Sequence, residues 1–105
     1  MTTFDNRKKA SETRFVLDAE QEFKAGARRN KLLAQWAAPI LGRDDVDAYI
    51  AEVIKSDFEE AGDDDVLRKV SADLEKVGSG IPAEELREKM DDLMEAAREQ
   101  IAAGE

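Results

Sequence analysis

The stretch from Ala25 to Ala38 most constrains what this chain can fold into. It reads Ala25-Gly26-Ala27-Arg28-Arg29-Asn30-Lys31-Leu32-Leu33-Ala34-Gln35-Trp36-Ala37-Ala38 and holds the only tryptophan. Leu33, Ala37 and Leu41 recur every fourth residue, and Leu32, Trp36 and Ile40 form the adjacent row. Rows so spaced lie side by side on an α-helix, making an apolar stripe wide enough to face several neighbours at once. That is the pattern of the central helix of a bundle, and it places Trp36 at the middle of the core. The same stretch carries Arg28, Arg29 and Lys31, a dense cationic cluster in a chain whose net charge is −9. The apolar half of the segment explains a fold. The basic half asks for a second explanation.

Helical spacing continues to the C-terminal end. Asp18 with Gln21 three residues on offers a capping-box start for the first helix, and Phe23 leads into its packed part. Pro39 removes a backbone donor, so the helix is expected to kink or tighten after Ala38 and to stop at Gly42. Asp44 and Asp45 read as caps for a second helix, whose inner face is Val46, Tyr49, Ile50, Val53, Ile54 and Phe58. Gly62 reads as its stop. Asp63, Asp64 and Asp65 then open a third helix with Val66, Leu67, Val70, Leu74 and Val77 inside. Gly78-Ser79-Gly80 is a turn, and Pro82 suits the first position of a fourth helix. Leu86, Met90, Leu93, Met94, Ala97 and Ile101 make that helix's inner face, with Glu85 and Lys89 spaced to pair outside. Four amphipathic helices joined by short turns pack most simply as neighbours of alternating direction. The fold class expected is all-α: a compact antiparallel four-helix bundle over residues 18–105, with a flexible N-terminal arm over residues 1–17. A single domain of 105 residues is large enough for one core, with stability of about 5–15 kcal/mol.

The arm contrasts with the bundle. Phe4 and Phe15 stand eleven residues apart, about three helical turns, yet nothing large and apolar fills the face between them. Such a segment buries too little to hold itself helical and is expected to fray when free. An ordinary loose terminus has this character, and so does an arm that orders on a partner. Residues 1–43 carry nine cations against five anions, net +4, while residues 44–105 carry seven against twenty, net −13. That asymmetry points to a partner-facing end.

Several functions are disfavoured outright. Cysteine and histidine are both absent. This removes disulfides, thiolate chemistry, the usual zinc sites and every imidazole-based triad. The carboxylates are abundant but sit on solvent faces, without neighbours to tune them as acid and base. Gly78-Ser79-Gly80 lacks the lysine and the strand-to-helix setting of a phosphate loop. Asp63-Asp64-Asp65 lacks the alternating ligands of a calcium loop and reads as helix capping. No catalytic residue, metal or cofactor is expected. A nucleic-acid partner is disfavoured because the acidic remainder opposes the small basic patch. No apolar run approaches a membrane span, and the start of the chain shows no signal region, so a soluble intracellular protein is expected.

Three literal strings then carry a resemblance. They are Phe4-Asp5-x-Arg7-x-Lys9-Ala10 continued by Arg14-Phe15 and Asp18; Ala27-Arg28-Arg29-Asn30-Lys31-Leu32-Leu33 with Trp36-Ala37-Ala38; and Asp47-Ala48-Tyr49 followed by the run from Asp57 to Val66. In these strings the chain resembles the zeta subunit family, the inhibitor subunit of alphaproteobacterial F-type ATP synthases. The resemblance implies a four-helix bundle and a non-enzymatic regulator whose N-terminal segment enters the catalytic head and blocks ATP hydrolysis. The implied partners are the alpha and beta subunits, with gamma as a further candidate. The implied place is the cytoplasm, against the inner face of the plasma membrane when bound, with the free protein a monomer. The residues implied at the contact are Phe4, Asp5, Arg7, Lys8, Lys9, Arg14 and Phe15. Arg28, Arg29 and Lys31 are secondary candidates. The family's arm usually has an acid where this chain has Lys8, and Val16-Leu17 and Pro39 also depart from its pattern. A helical adaptor or small-ligand-binding bundle without inhibitory activity is the alternative reading.

Overall fold

The computed structural model describes residues 16–57 and 62–105, and in them the chain forms four helices and no strand. These are α1 (Ala19–Ile40), α2 (Val46–Ser56), α3 (Asp64–Lys76) and α4 (Ala83–Ala102). Contacts between helices fix their directions. Glu22 meets Arg98 and Trp36 meets Lys89, so α1 and α4 run antiparallel. Asn30 reaches Asp57 at the end of α2, while Tyr49 and Glu52 of α2 reach Asp73 and Lys69 of α3. Each helix therefore reverses the one before, giving the expected antiparallel four-helix bundle. α1 makes the most extensive contacts, chiefly with α4 and then α2.

The core is assembled from Leu33, Ala34, Ala37 and Ala38 of α1, Tyr49 and Val53 of α2, Val66, Val70 and Leu74 of α3, and Leu86 and Met90 of α4. The alanines of α1 let the other helices approach closely, and Tyr49 is the largest side chain fully buried among them. Trp36 is not the centre the stripe suggested. It is half-buried, packs against the edge of the core, and lies under the Lys89 ammonium at 5.5 Å from its ring. The face of α1 that goes fully inside is Leu33, Ala34, Ala37 and Ala38, turned from the stripe towards the alanines, so Trp36 and Leu41 are half-buried and Ile40 is exposed. Val77, also assigned to an inner face, is 48% exposed, and Phe23, which leads into the packed part of α1, is 70% exposed. Phe58 lies outside the described residues.

The helix ends show which capping rules won. Asp18 closes α1 as expected: its carboxylate accepts from the Gln21 amide at 2.8 Å, and the Gln21 side chain accepts from the Asp18 amide at 3.1 Å. Pro39 stands in the last turn of α1, where losing one donor is tolerable, and the helix continues through Ile40. It then stops at Gly42 as expected, with φ at +71°. The Gly42 amide donates to the Pro39 carbonyl and that of Arg43 to Ala38, the paired closing bonds of a left-handed glycine cap. Gly78 ends α3 in the same way, with Ser79 reaching back to Leu74.

The acidic caps fare differently. Asp45 and Asp63 occupy the cap positions of α2 and α3, but neither side chain bonds its helix amides. Arginines take both carboxylates instead: Arg43 pairs with Asp45, and Arg29 and Arg87 with Asp63, supplying an ionised partner that a backbone amide is not. Pro82 is the cap residue of α4 and not its first helical position.

Candidate partner-binding surface

The primary site residues expected from the sequence, Phe4, Asp5, Arg7, Lys8, Lys9, Arg14 and Phe15, lie outside the described residues. What is described begins at Val16, which is 80% exposed. Two residues later the Asp18–Gln21 box closes the first helix. The described core uses residues from Leu33 to Met90 and draws nothing from Val16 or Leu17.

The basic cluster on α1 divides into three separate roles. Arg29 is buried: its Nε donates to Asn30 Oδ1 at 2.8 Å and its Nη1 meets Asp63 Oδ2 at 3.2 Å. The Asn30 amide nitrogen in turn donates to Asp57 at 3.0 Å. This pair of residues anchors both ends of the connection between α2 and α3 onto α1. Arg87 completes the arrangement from α4, bonding Asp63 at 2.9 Å and Asp64 at 3.0 Å. Arg28 is half-buried and clamps the end of α4, donating to Gln100 Oε1 at 2.6 Å and to the Glu105 carbonyl at 2.7 Å. Lys31 alone of the three is exposed. The sequence places these three cations together, but their side chains leave α1 in different directions.

Part of the acidic run from Asp44 to Asp65 is held in a second charged cluster at the other end of the bundle. Arg43 binds Asp45 at 2.6 Å and Glu52 at 2.7 Å and lies 4.9 Å from the centre of the Tyr49 ring. Lys69 bridges Glu52 and Asp73, at 2.9 Å each, and the Tyr49 hydroxyl donates to Asp73 at 2.9 Å. Hydrogen bonds from Arg43 and Lys69 hold the Glu52 carboxyl down at about 2, and the Arg43 bond likewise lowers Asp45. Burial and then the Asp73 carboxylate push the Tyr49 phenol well above its ordinary value. Carboxylates fixed in ion pairs and a tyrosine that keeps its proton make a structural lock, ill suited to general acid–base work. No group of carboxylates among the described residues is placed to hold a metal ion.

One feature was missed in the sequence. Phe23 stands at the lip of an open cleft of about 580 Å³ between α1 and the end of α4, with Ala27, Ile54 and Ile101 on its walls and Lys24, Arg28 and Lys31 at its rim. A smaller hollow of about 170 Å³ adjoins it, shared through Phe23, Ala27 and Ile54. Phe23 lies on the same side of α1 as the buried Asn30 and Ala34, seven and eleven residues on. Periodicity identifies that side. It does not say that the close packing of α2 against α1 ends before Phe23 is covered.

The comparisons with known proteins add the decisive observation: a family model described as ATPase inhibitor subunit zeta matches residues 1–100. The chain belongs to this family. A solution NMR structure is 49% identical, with a TM-score of 0.68, covering 80% of this chain and 98% of that one. No match is found among curated proteins. Membership of the zeta family supports an inhibitory, regulatory role and points away from an enzyme. Two of the three strings that resemble the zeta family, those around Arg29-Asn30 and Asp57–Asp63, meet in the fold through the bonds described above. Among the described residues no helix is long and apolar enough to cross a membrane.

Proposed function

We propose that this protein binds the catalytic head of F-type ATP synthase and inhibits ATP hydrolysis through its N-terminal arm, residues 1–17, without chemistry of its own. The observation that carries this is the closed start of the bundle. α1 is capped at Asp18 and the described core runs from Leu33 to Met90. The family match nonetheless spans that preceding segment, from residue 1. A basic arm with two phenylalanines eleven residues apart can become a helix on docking, seating Phe4 and Phe15 while Arg7, Lys9 and Arg14 meet acidic surface, Asp5 meets a cation, and Lys8 stands where the family's arm usually puts an acid. The bundle then serves to hold the arm near its target and raise its effective concentration. The partners are the alpha and beta subunits, with gamma within reach, and the complex sits at the cytoplasmic face of the plasma membrane.

The test is ATP hydrolysis by the purified homologous enzyme, with the whole protein and with residues 1–17 removed. The whole protein is expected to inhibit and the truncated one to fold but not inhibit. Equal inhibition by both would make the arm a bystander.

A further inference from the structure

We propose that the Phe23 face of α1, with the cationic cleft beside it, is a second docking surface for the ATPase, accepting a helix that presents an apolar residue flanked by carboxylates. This rests on the reading that the protein binds the ATPase, but not on the arm being the inhibitory element.

A single exposed apolar residue is ordinary on a protein surface. Phe23 is more than that. It is an aromatic ring 70% exposed at the lip of a cleft whose walls are also apolar, through Ala27, Ile54 and Ile101. An aromatic anchor beside a pocket is the arrangement that concentrates binding energy at protein interfaces. The charge on the cleft selects the occupant. Lys24, Arg28 and Lys31 line it against the one carboxylate side chain of Glu105, in a chain whose net charge is −9. Arg28 is held in place by Gln100 and the Glu105 carbonyl, so its charge is fixed there without further loss of side-chain freedom. Lys24 pairs with Glu20 at 3.6 Å, both side chains mostly exposed, and a competing carboxylate can replace such a pair.

This charge excludes the nearest alternative occupant. The chain's own arm carries Arg7, Lys8, Lys9 and Arg14 against Asp5 and Glu12 and would be repelled. A second copy, whose residues 44–105 carry seven cations against twenty anions, is the other occupant that the crosslink below distinguishes. In sequence the surface begins at Gln21 and Phe23, a few residues after the arm ends at Leu17. A partner holding the arm therefore meets this face at high effective concentration.

The experiment uses the full-length chain and the homologous ATPase. A benzophenone-bearing phenylalanine analogue replaces Phe23 in one preparation and the exposed Glu75 of α3 in another. Illumination is expected to join position 23, and not position 75, to a subunit of the ATPase. Phe23→Ser and the pair Lys24→Glu with Lys31→Glu should each raise the half-inhibitory concentration about tenfold. Their melting temperatures should not change, because all three side chains are exposed. The charge-reversed protein should also lose part of the salt dependence of inhibition. The proposal is overturned if position 23 joins nothing or only another copy of the chain while Phe23→Ser inhibits like the parent. Phe15→Ala and removal of residues 1–17 report on the arm separately. If those changes leave inhibition intact while position 23 still crosslinks, the arm reading fails and this one stands.

Discussion

Replacing Asp63 with alanine tests whether the Arg29 cluster is structural. Asp63 is one-third exposed and serves two arginines, Arg29 at 3.2 Å and Arg87 at 2.9 Å. Arg87 is partly solvated and keeps Asp64 at 3.0 Å, so its share of the loss is within about 1 kcal/mol. Arg29 differs, since its side chain is only 6% exposed and, among the described residues, Asp63 is the one anion it pairs with. Stranding a buried charge costs about 3–5 kcal/mol when no water can reach it. Here the vacated carboxylate position lies partly open, and the bond from Arg29 Nε to Asn30 survives. The expected cost is therefore closer to that of one hydrogen bond to a charged group, about 2–3 kcal/mol. For a domain of this size that lowers the melting temperature by about 10 °C or more. The partner substitution gives the discriminating measurement. Arg29→Met removes the buried charge along with its need for an anion, so Arg29→Met combined with Asp63→Ala should be more stable than Asp63→Ala alone. A double-mutant cycle by urea unfolding should give a coupling of about 1–2 kcal/mol. If Asp63→Ala costs less than about 0.5 kcal/mol, or the coupling is zero within error, Arg29 is not held by Asp63 and the cluster does not fasten the α2–α3 connection.

Other outcomes follow from the same physical reasoning. Leu33→Ala should cost about 3–5 kcal/mol because its site is fully enclosed, whereas the half-buried Trp36→Ala should cost about 2 kcal/mol; the reverse order in chemical denaturation would return Trp36 to the centre of the core. Glu52 titrates lower in the folded chain than its ordinary 4.5, so its ion pairs stabilise the protein fully above pH 4.5 and are lost as pH falls towards about 2. Glu52→Gln should flatten the acid limb of the stability curve over that window, with an effect of about 1 kcal/mol at most because the side chain is 39% exposed. Lys8→Glu restores the charge usual in the zeta family's arm and should lower the concentration needed for half-inhibition of ATP hydrolysis. An unchanged inhibition curve would remove Lys8 from the contact, and a weakened one would place it against acidic surface.

Much of this protein is determined by the order of its residues alone. Periodic apolar positions fix four helices, the Asp18–Gln21 box fixes where the first begins, and Gly42 and Gly78 fix where the first and third end. These are local matters, decided within one or two turns of the chain, and so a linear pattern contains them. Which side chains reach the centre was decided only in three dimensions. Leu32, Leu33, Trp36 and Ala37 share one stripe, but the neighbouring helices enclose the face of Leu33, Ala34, Ala37 and Ala38 and leave Leu32 and Trp36 half-buried. Phe23 continues the α2-facing side of α1, and only the extent of the neighbouring helices leaves it uncovered. The charged residues were least legible. Asp45 and Asp63 read as caps because helix amides are near in sequence, yet Arg43, two residues before Asp45, takes the first, and Arg29 and Arg87, distant in sequence, take the second. Arg28, Arg29 and Lys31 read as one basic patch, because adjacency in sequence conceals the rotation of about 100° between successive side chains on a helix. Tertiary packing turned that patch into a buried anchor, a clamp on the end of α4 and one exposed lysine beside a cleft.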